Sequence, residues 1–352
     1  MRRGLLAWSA AELPAETLDA RIDGVRAAAR AEGLDAVLVY SSFARPQALS
    51  DLTGVVPFFF DAVLVVPAEG PTLLVGGLPK RDVTVLRPCG KVDEVRCNPD
   101  NLAELISALD ERGLLQGELG LFEIADVPWR LVAGLQSARG ERPLRAFSDL
   151  PVIQADDANA LLFERAADLG RAALAAPILP MTGAAGVVAA AELAARSGGA
   201  EEVQVLLAPD FDRAPGLRRI EADEPLGARY ALAVSLAYKG RWLRAARLIE
   251  RASGLQQVGP ARQALSKAGE ALTPGHTIAG AVEALRATGG WWSIETAEGG
   301  LQFRTLAASG SEFADGPSDA PLGLGQVVVL SVGTSEEIAT ISVRVGGGTI
   351  LS

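Results

Sequence analysis

Within residues 18–31 the apolar positions Ile22, Val25 and Ala29 recur every three or four residues, and the run stops at Gly33. That spacing predicts a helix with one face on a core. Ala36–Tyr40 is then apolar almost without a break, as expected of a buried strand. Ala62–Val66, Thr72–Val75 and Leu119–Glu123 carry the same signal, and Leu102–Arg112 reads as a helix. Strands and helices alternating in this way predict a mixed α/β layer.

After residue 155 the pattern changes. Ala155–Ala176 and Gly186–Arg196 read as helices, the second closed by Gly198-Gly199. Pro225–Arg247 predicts a tight turn at Gly227, a buried strand over Tyr230–Ala237, a two-residue hairpin at Lys239-Gly240 and a strand returning through Arg247. Helices are expected over Pro260–Ala271 and on to Ala287. Strands are expected at Leu324–Leu330 and Thr340–Val345, the last ending in Gly346–Gly348.

Composition narrows what such a chain does. Its 352 residues allow two sizeable cores, and 49% apolar with 22% charged residues describes a globular protein. A formal charge of -10 argues against nucleic acid as a partner. Cys89 and Cys97 are too few for a disulfide framework and read as reduced, ordinary apolar residues. Leu5–Trp8 is too short for a signal-peptide core. The most apolar window, Val55–Val66, carries Pro57 and Asp61 and is too short to span a bilayer. The expectation is a soluble cytoplasmic protein with no membrane partner.

Several phrases resemble the creatinase and methionine-aminopeptidase superfamily, the pita-bread fold that includes Xaa-Pro aminopeptidase, prolidase and creatinase. Over residues 15–150 the resemblance rests on Glu32-Gly-Leu-Asp-Ala-Val-Leu-Val39, Leu52-Thr-Gly54 and the Ala62–Val66 strand. Further on it rests on the central hairpin, which keeps Gly227, Tyr238, Gly240 and Arg247, and on Pro274-Gly-His-Thr277. The Leu324–Leu330 strand and the finish from Gly346 to Ser352 complete it. The resemblance implies a creatinase-like N-terminal α/β domain over residues 1–155. It implies a pita-bread α+β domain over residues 156–352, with two quasi-repeated helical pairs. It also implies a homodimer.

Metal-dependent members of that superfamily hold two divalent ions on five side chains, and two-metal hydrolysis needs such anionic or imidazole ligands. Carried onto this chain, the first position is Ala233 and the second is Arg244. The third falls in a window near 298–313 that contains no His, and the fourth is Ser331. The fifth is Ile338, Ala339 or Thr340. All five ligands are replaced, so neither metal nor cofactor is expected. Creatinase uses a histidine acid/base without metal, but the one His here, His276, belongs to the Pro274–Thr277 phrase. A Ser–His–Asp or Cys–His arrangement is excluded for the same reason.

The remaining candidates concern binding. Arg241, Arg244 and Arg247 stand three apart, so Arg244 faces away from the other two. It either binds a carboxylate or phosphate in the old metal cradle or pairs with a neighbouring acid. Tyr238, Ser331 and Trp292 are the other candidate ligand contacts. The bland readings are that Ser331 is a filler and that Trp291 and Trp292 pack on the sheet. Phe58–Phe60 would alternate faces in a strand, as core plus a dimer patch. Glu201-Glu202 and Glu336-Glu337 read as solvated faces. Three functions are open: a catalytically degenerate peptidase relative that binds a small or peptide ligand, a metal-independent enzyme on a small C–N or C–O substrate anchored by Arg244, and an ordinary metal-dependent Xaa-Pro peptidase. The residues oppose the last.

Overall fold

A computed structural model describes residues 7–148, 156–176, 183–253, 259–297, 303–310 and 319–352. The chain divides into two compact units, residues 4–153 and, apart from 299–301, residues 154–352.

The N-terminal unit runs α1 (Ala15–Ala31), β1 (Ala36–Ser41), α2 (Gln47–Thr53), β2 (Ala62–Pro67), β3 (Leu73–Gly76), α3 (Val83–Leu86), β4 (Glu94–Cys97), α4 (Asn101–Glu111), β5 (Leu119–Phe122), α5 (Trp129–Arg139) and β6 (Arg145–Phe147). Its sheet has the order β4-β3-β2-β1-β5-β6. Strand β2 is antiparallel to both neighbours, so β1 and β3 run the same way. Both faces are covered, which is why its strands read as unbroken apolar runs. On one face Val37, Val39, Leu64 and Leu74 pack with Ile22, Val25 and Ala29 of α1 and Leu49 and Leu52 of α2. On the other, Leu38, Val63, Val65 and Val75 pack with Leu105 and Leu109 of α4 and Leu131 and Leu135 of α5. Phe58–Phe60 do not form the expected strand: Phe60 enters the core, whereas Phe59 is 64% exposed. Burial raises the free thiols of Cys89 and Cys97 to about 11, keeping both protonated and unreactive.

The second unit runs α6 (Asp157–Ala175), α7 (Ala184–Gly198), β7 (Glu202–Ala208), β8 (Arg229–Tyr238), β9 (Arg241–Glu250), α8 (Pro260–Glu270), α9 (Ala279–Arg286), β10 (Trp291–Thr296), β11 (Arg304–Ala308), β12 (Val327–Gly333), β13 (Ile338–Arg344) and β14 (Gly348–Leu351). Strands β7, β10, β11 and β14 are additions to the elements read from the sequence. The sheet order is β11-β10-β12-β13-β9-β8-β7, with β14 paired to β13. Helices α8 and α9 cover Trp292, Ile294, Leu330, Val332, Ile341 and Val343 on one face. Helix α6 lies against β8 and β9.

The central hairpin closes through Lys239 at φ 47° and Gly240 at φ 76°, the left-handed pair that matches the twist of its strands. Both turn amides donate to the buried Glu201 carboxylate, Lys239 N at 2.5 Å and Gly240 N at 3.3 Å. Glu201 is therefore not a solvated residue. Neither is Glu337, whose carboxylate accepts from Gly259 N at 3.2 Å and Ala261 N at 2.9 Å, capping α8. Gly227 is required by close approach, since a Cβ there would lie 2.6 Å from Asp210 Oδ1.

Candidate functional site

Strand alternation decides which side chains share the face turned away from the helices. Ser235 pairs with Arg244, Ala233 with Ala246, and Ala246 with Thr340, which in turn faces Ser331. Ser331 pairs onward with Ser293, and Glu295 follows two residues along β10. Ala233, Ser235, Arg244, Thr340, Ser331 and Glu295 thus lie on one face. Arg241 and Arg247 lie on the other, where Arg241 donates to Asn159 of α6 at 2.9 Å and Arg247 to the Ser352 carbonyl.

Arg244 is the centre of this face. Its Nε donates to Ser235 Oγ at 2.9 Å and its Nη1 to Glu295 Oε2 at 2.6 Å. Its guanidinium lies over the Phe303 ring, 4.2 Å from the centroid. Phe303 meets Trp242 edge to face at 6.2 Å. Ser342 Oγ accepts from Arg244 N at 3.0 Å and donates to Arg244 O at 2.7 Å, so a hydroxyl serves both of that residue's backbone groups. Side-chain exposure is 29% for Arg244 and 15% for Glu295. Burial raises the Glu295 pKa, and the neighbouring Arg244 charge opposes the shift.

Ser331 lies on the Arg244 face, where its Oγ accepts from Thr340 Oγ1 at 3.0 Å. Two other candidates do not join it. Tyr238 pairs with Arg241 and is buried on the opposite face, three residues from Ser235. Trp292 is part of the core beneath α8 and α9, with Arg286 over its ring at 6.0 Å. The alternation that turns Glu295 outward turns Trp292 inward. His276 is exposed in the turn before α9. Of the three residues considered for the fifth ligand position, Thr340 is the one opposite Ser331. Ala339 belongs to the helix-side core, and Ile338 packs with Phe211 and Leu248.

Glu295, Ser235, Ser342 and Phe303 are the partners that the sequence reading missed. Two signals pointed to the first two. A two-residue loop at 239–240 sets Ser235 opposite Arg244, and alternation in Trp291–Thr296 sets Glu295 on the face away from Trp292 and Ile294.

X-Pro aminopeptidase from Thermotoga maritima MSB8 superposes with a TM-score of 0.69 at 16% identity, covering 94% of this chain and 97% of that one. Prolidase from Pyrococcus horikoshii OT3 gives 0.67 at 15% identity, covering 94% and 96%. Dipeptidase PepE from Mycobacterium ulcerans gives 0.60 at 19% identity, covering 96% of each. This chain has their fold. No family model and no curated protein matches the chain. The pita-bread architecture expected from the sequence is therefore the one observed, at identities that establish fold alone.

The paired metal ions implied by the sequence resemblance do not fit these residues. Ala233 offers no donor, Arg244 is cationic and already paired with Glu295, and Ser331 and Thr340 bond to each other. Part of the 298–313 window lies outside the described residues. Among the described residues no three His, Cys, Asp or Glu side chains are grouped to hold a metal ion. No described helix is long and apolar enough to cross a membrane.

Proposed function

We propose that the protein is a metal-free, catalytically degenerate relative of the Xaa-Pro aminopeptidases and prolidases. It works in the cytoplasm as a homodimer and binds a small or peptide ligand through a carboxylate at Arg244. The observation that carries this reading is the pairing of Arg244 with Glu295 where the resemblance puts a metal-binding carboxylate. The guanidinium still has a donor to offer, because Nη2 makes no hydrogen bond among the described residues. Ser331 and Thr340 supply neutral hydroxyls on the same face. An arginine fork suits a carboxylate, and a peptide carries one at its C-terminus.

Calorimetric titration with an Xaa-Pro dipeptide, with cleavage followed in the same mixture, tests the reading. The expected result is binding without turnover, weakened about 10- to 100-fold in Arg244→Ala, the range for a lost charged hydrogen bond. Unchanged affinity in that variant overturns the role of Arg244.

One observation favours a second reading, a metal-independent enzyme acting on a small C–N or C–O substrate. Glu295 is a half-buried acid with a raised pKa beside an anchoring cation, as a proton donor requires. Turnover that survives a chelator and is lost in Glu295→Gln would select it.

A further inference from the structure

A second polar site lies wholly inside the N-terminal unit. Because β1 and β3 run the same way, Ser41 and Gly76 end them at one edge of the sheet, and β2 starts there at Ala62. That is the carboxyl edge of the parallel strands, where open α/β sheets bind small ligands. Helix α4 begins with Asn101, 8% exposed. Its Nδ2 is buried and has no hydrogen-bond partner among the described residues. An unpaired buried donor has lost its hydration without recompense, and native structures keep few of them.

The amide faces Gly77, directly after β3. A Cβ at Gly77 would lie 3.6 Å from Asn101 Nδ2 and 2.6 Å from Asp61 Oδ1, so both groups lie beside Gly77, and only a glycine leaves them this room. Among the described residues the Asp61 carboxylate has neither hydrogen bond nor ion pair. Tyr40 adds a half-buried phenol within reach of the Asp61 charge. One face of the site is thus a donor without an acceptor, and the other an acceptor without a donor.

We infer that this edge binds a neutral ligand with an adjacent hydrogen-bond acceptor and donor, of which a carboxamide is the simplest. The ligand carbonyl accepts from Asn101 Nδ2, and its N–H donates to the Asp61 carboxylate. An anion is repelled by Asp61, and an ammonium leaves Asn101 unpaired, so the pair selects against both.

The experiment follows the Asn101 side-chain amide by heteronuclear NMR on the full-length protein while acetamide, acetate or methylammonium is added. The expected result is a saturable shift with acetamide alone, weakened at least about tenfold in Asp61→Ala. The wild-type comparison of the three probes stands without the variant. No saturable acetamide shift, an equal response to all three probes, or an undiminished response in Asp61→Ala overturns the inference. An ordered water that acetamide does not displace gives the first of these results.

Discussion

Arg244 Nη1 and Glu295 Oε2 meet at 2.6 Å although their strands are not neighbours, β13 and β12 lying between β9 and β10. Two long side chains reach over the intervening strands, and the Phe303 ring and Ser235 hydroxyl fix the guanidinium where it lands. The same face thus carries a cation–anion pair supplied by the protein itself.

Removing either partner leaves the other charge half-buried. Arg244→Met is expected to destabilise the protein by about 1–3 kcal/mol, less than a fully buried pair because Arg244 keeps some solvent contact. Glu295→Gln is expected to cost less, since the amide still accepts a hydrogen bond. Urea denaturation of both variants and of the double variant measures the coupling, expected at about 0.5–3 kcal/mol. Additive effects would show that the contact contributes nothing.

Glu201 gives a pH signature. Burial raises its carboxyl from 4.5 to about 7, against the Lys239 and Gly240 amides and the Lys239 and Arg241 charges that favour ionisation. The folded state therefore holds this proton at pH values where the unfolded chain has released it. Stability from this group is full below about 4.5, declines as pH rises through the window to about 7, and is level above it. Glu201→Gln is expected to flatten that part of the profile. An identical slope in wild type and variant, read from denaturation midpoints, would show that Glu201 titrates normally.

Glu337 serves α8 as a cap borrowed from the turn just before β13. Glu337→Ala is expected to cost about 1–2 kcal/mol through the loss of its bonds to Gly259 N and Ala261 N. Hydrogen exchange should rise first at those amides. Unaltered exchange there would assign the cost elsewhere.

Much of this architecture was legible in the chain because apolar periodicity and turn chemistry are local signals. The 239–240 hairpin is an example, since a lysine–glycine loop between two apolar runs has few other ways to close. The site was legible only in its register. Alternation separates Arg244 from Arg241 and Arg247, as observed, but Tyr238 and Trp292, named as the other ligand contacts, fall by the same alternation on the helix side. Glu201 and Glu337 read as surface residues because adjacent glutamates usually are. Their burial depends on amides supplied from residues 239–240 and 259–261, a tertiary fact that no local pattern carries. Asp61 and Asn101 were equally hidden, being brought together by the pairing of both Ala62 and Cys97 with Gly76.

Elemental analysis of the purified protein after exposure to manganese or cobalt tests the central claim most directly. A face built around Arg244, Ser331 and Thr340 is expected to retain no stoichiometric metal, and a chelator is expected to leave thermal stability unchanged. One or two equivalents of tightly held metal, with Xaa-Pro cleavage abolished by the chelator, would contradict it.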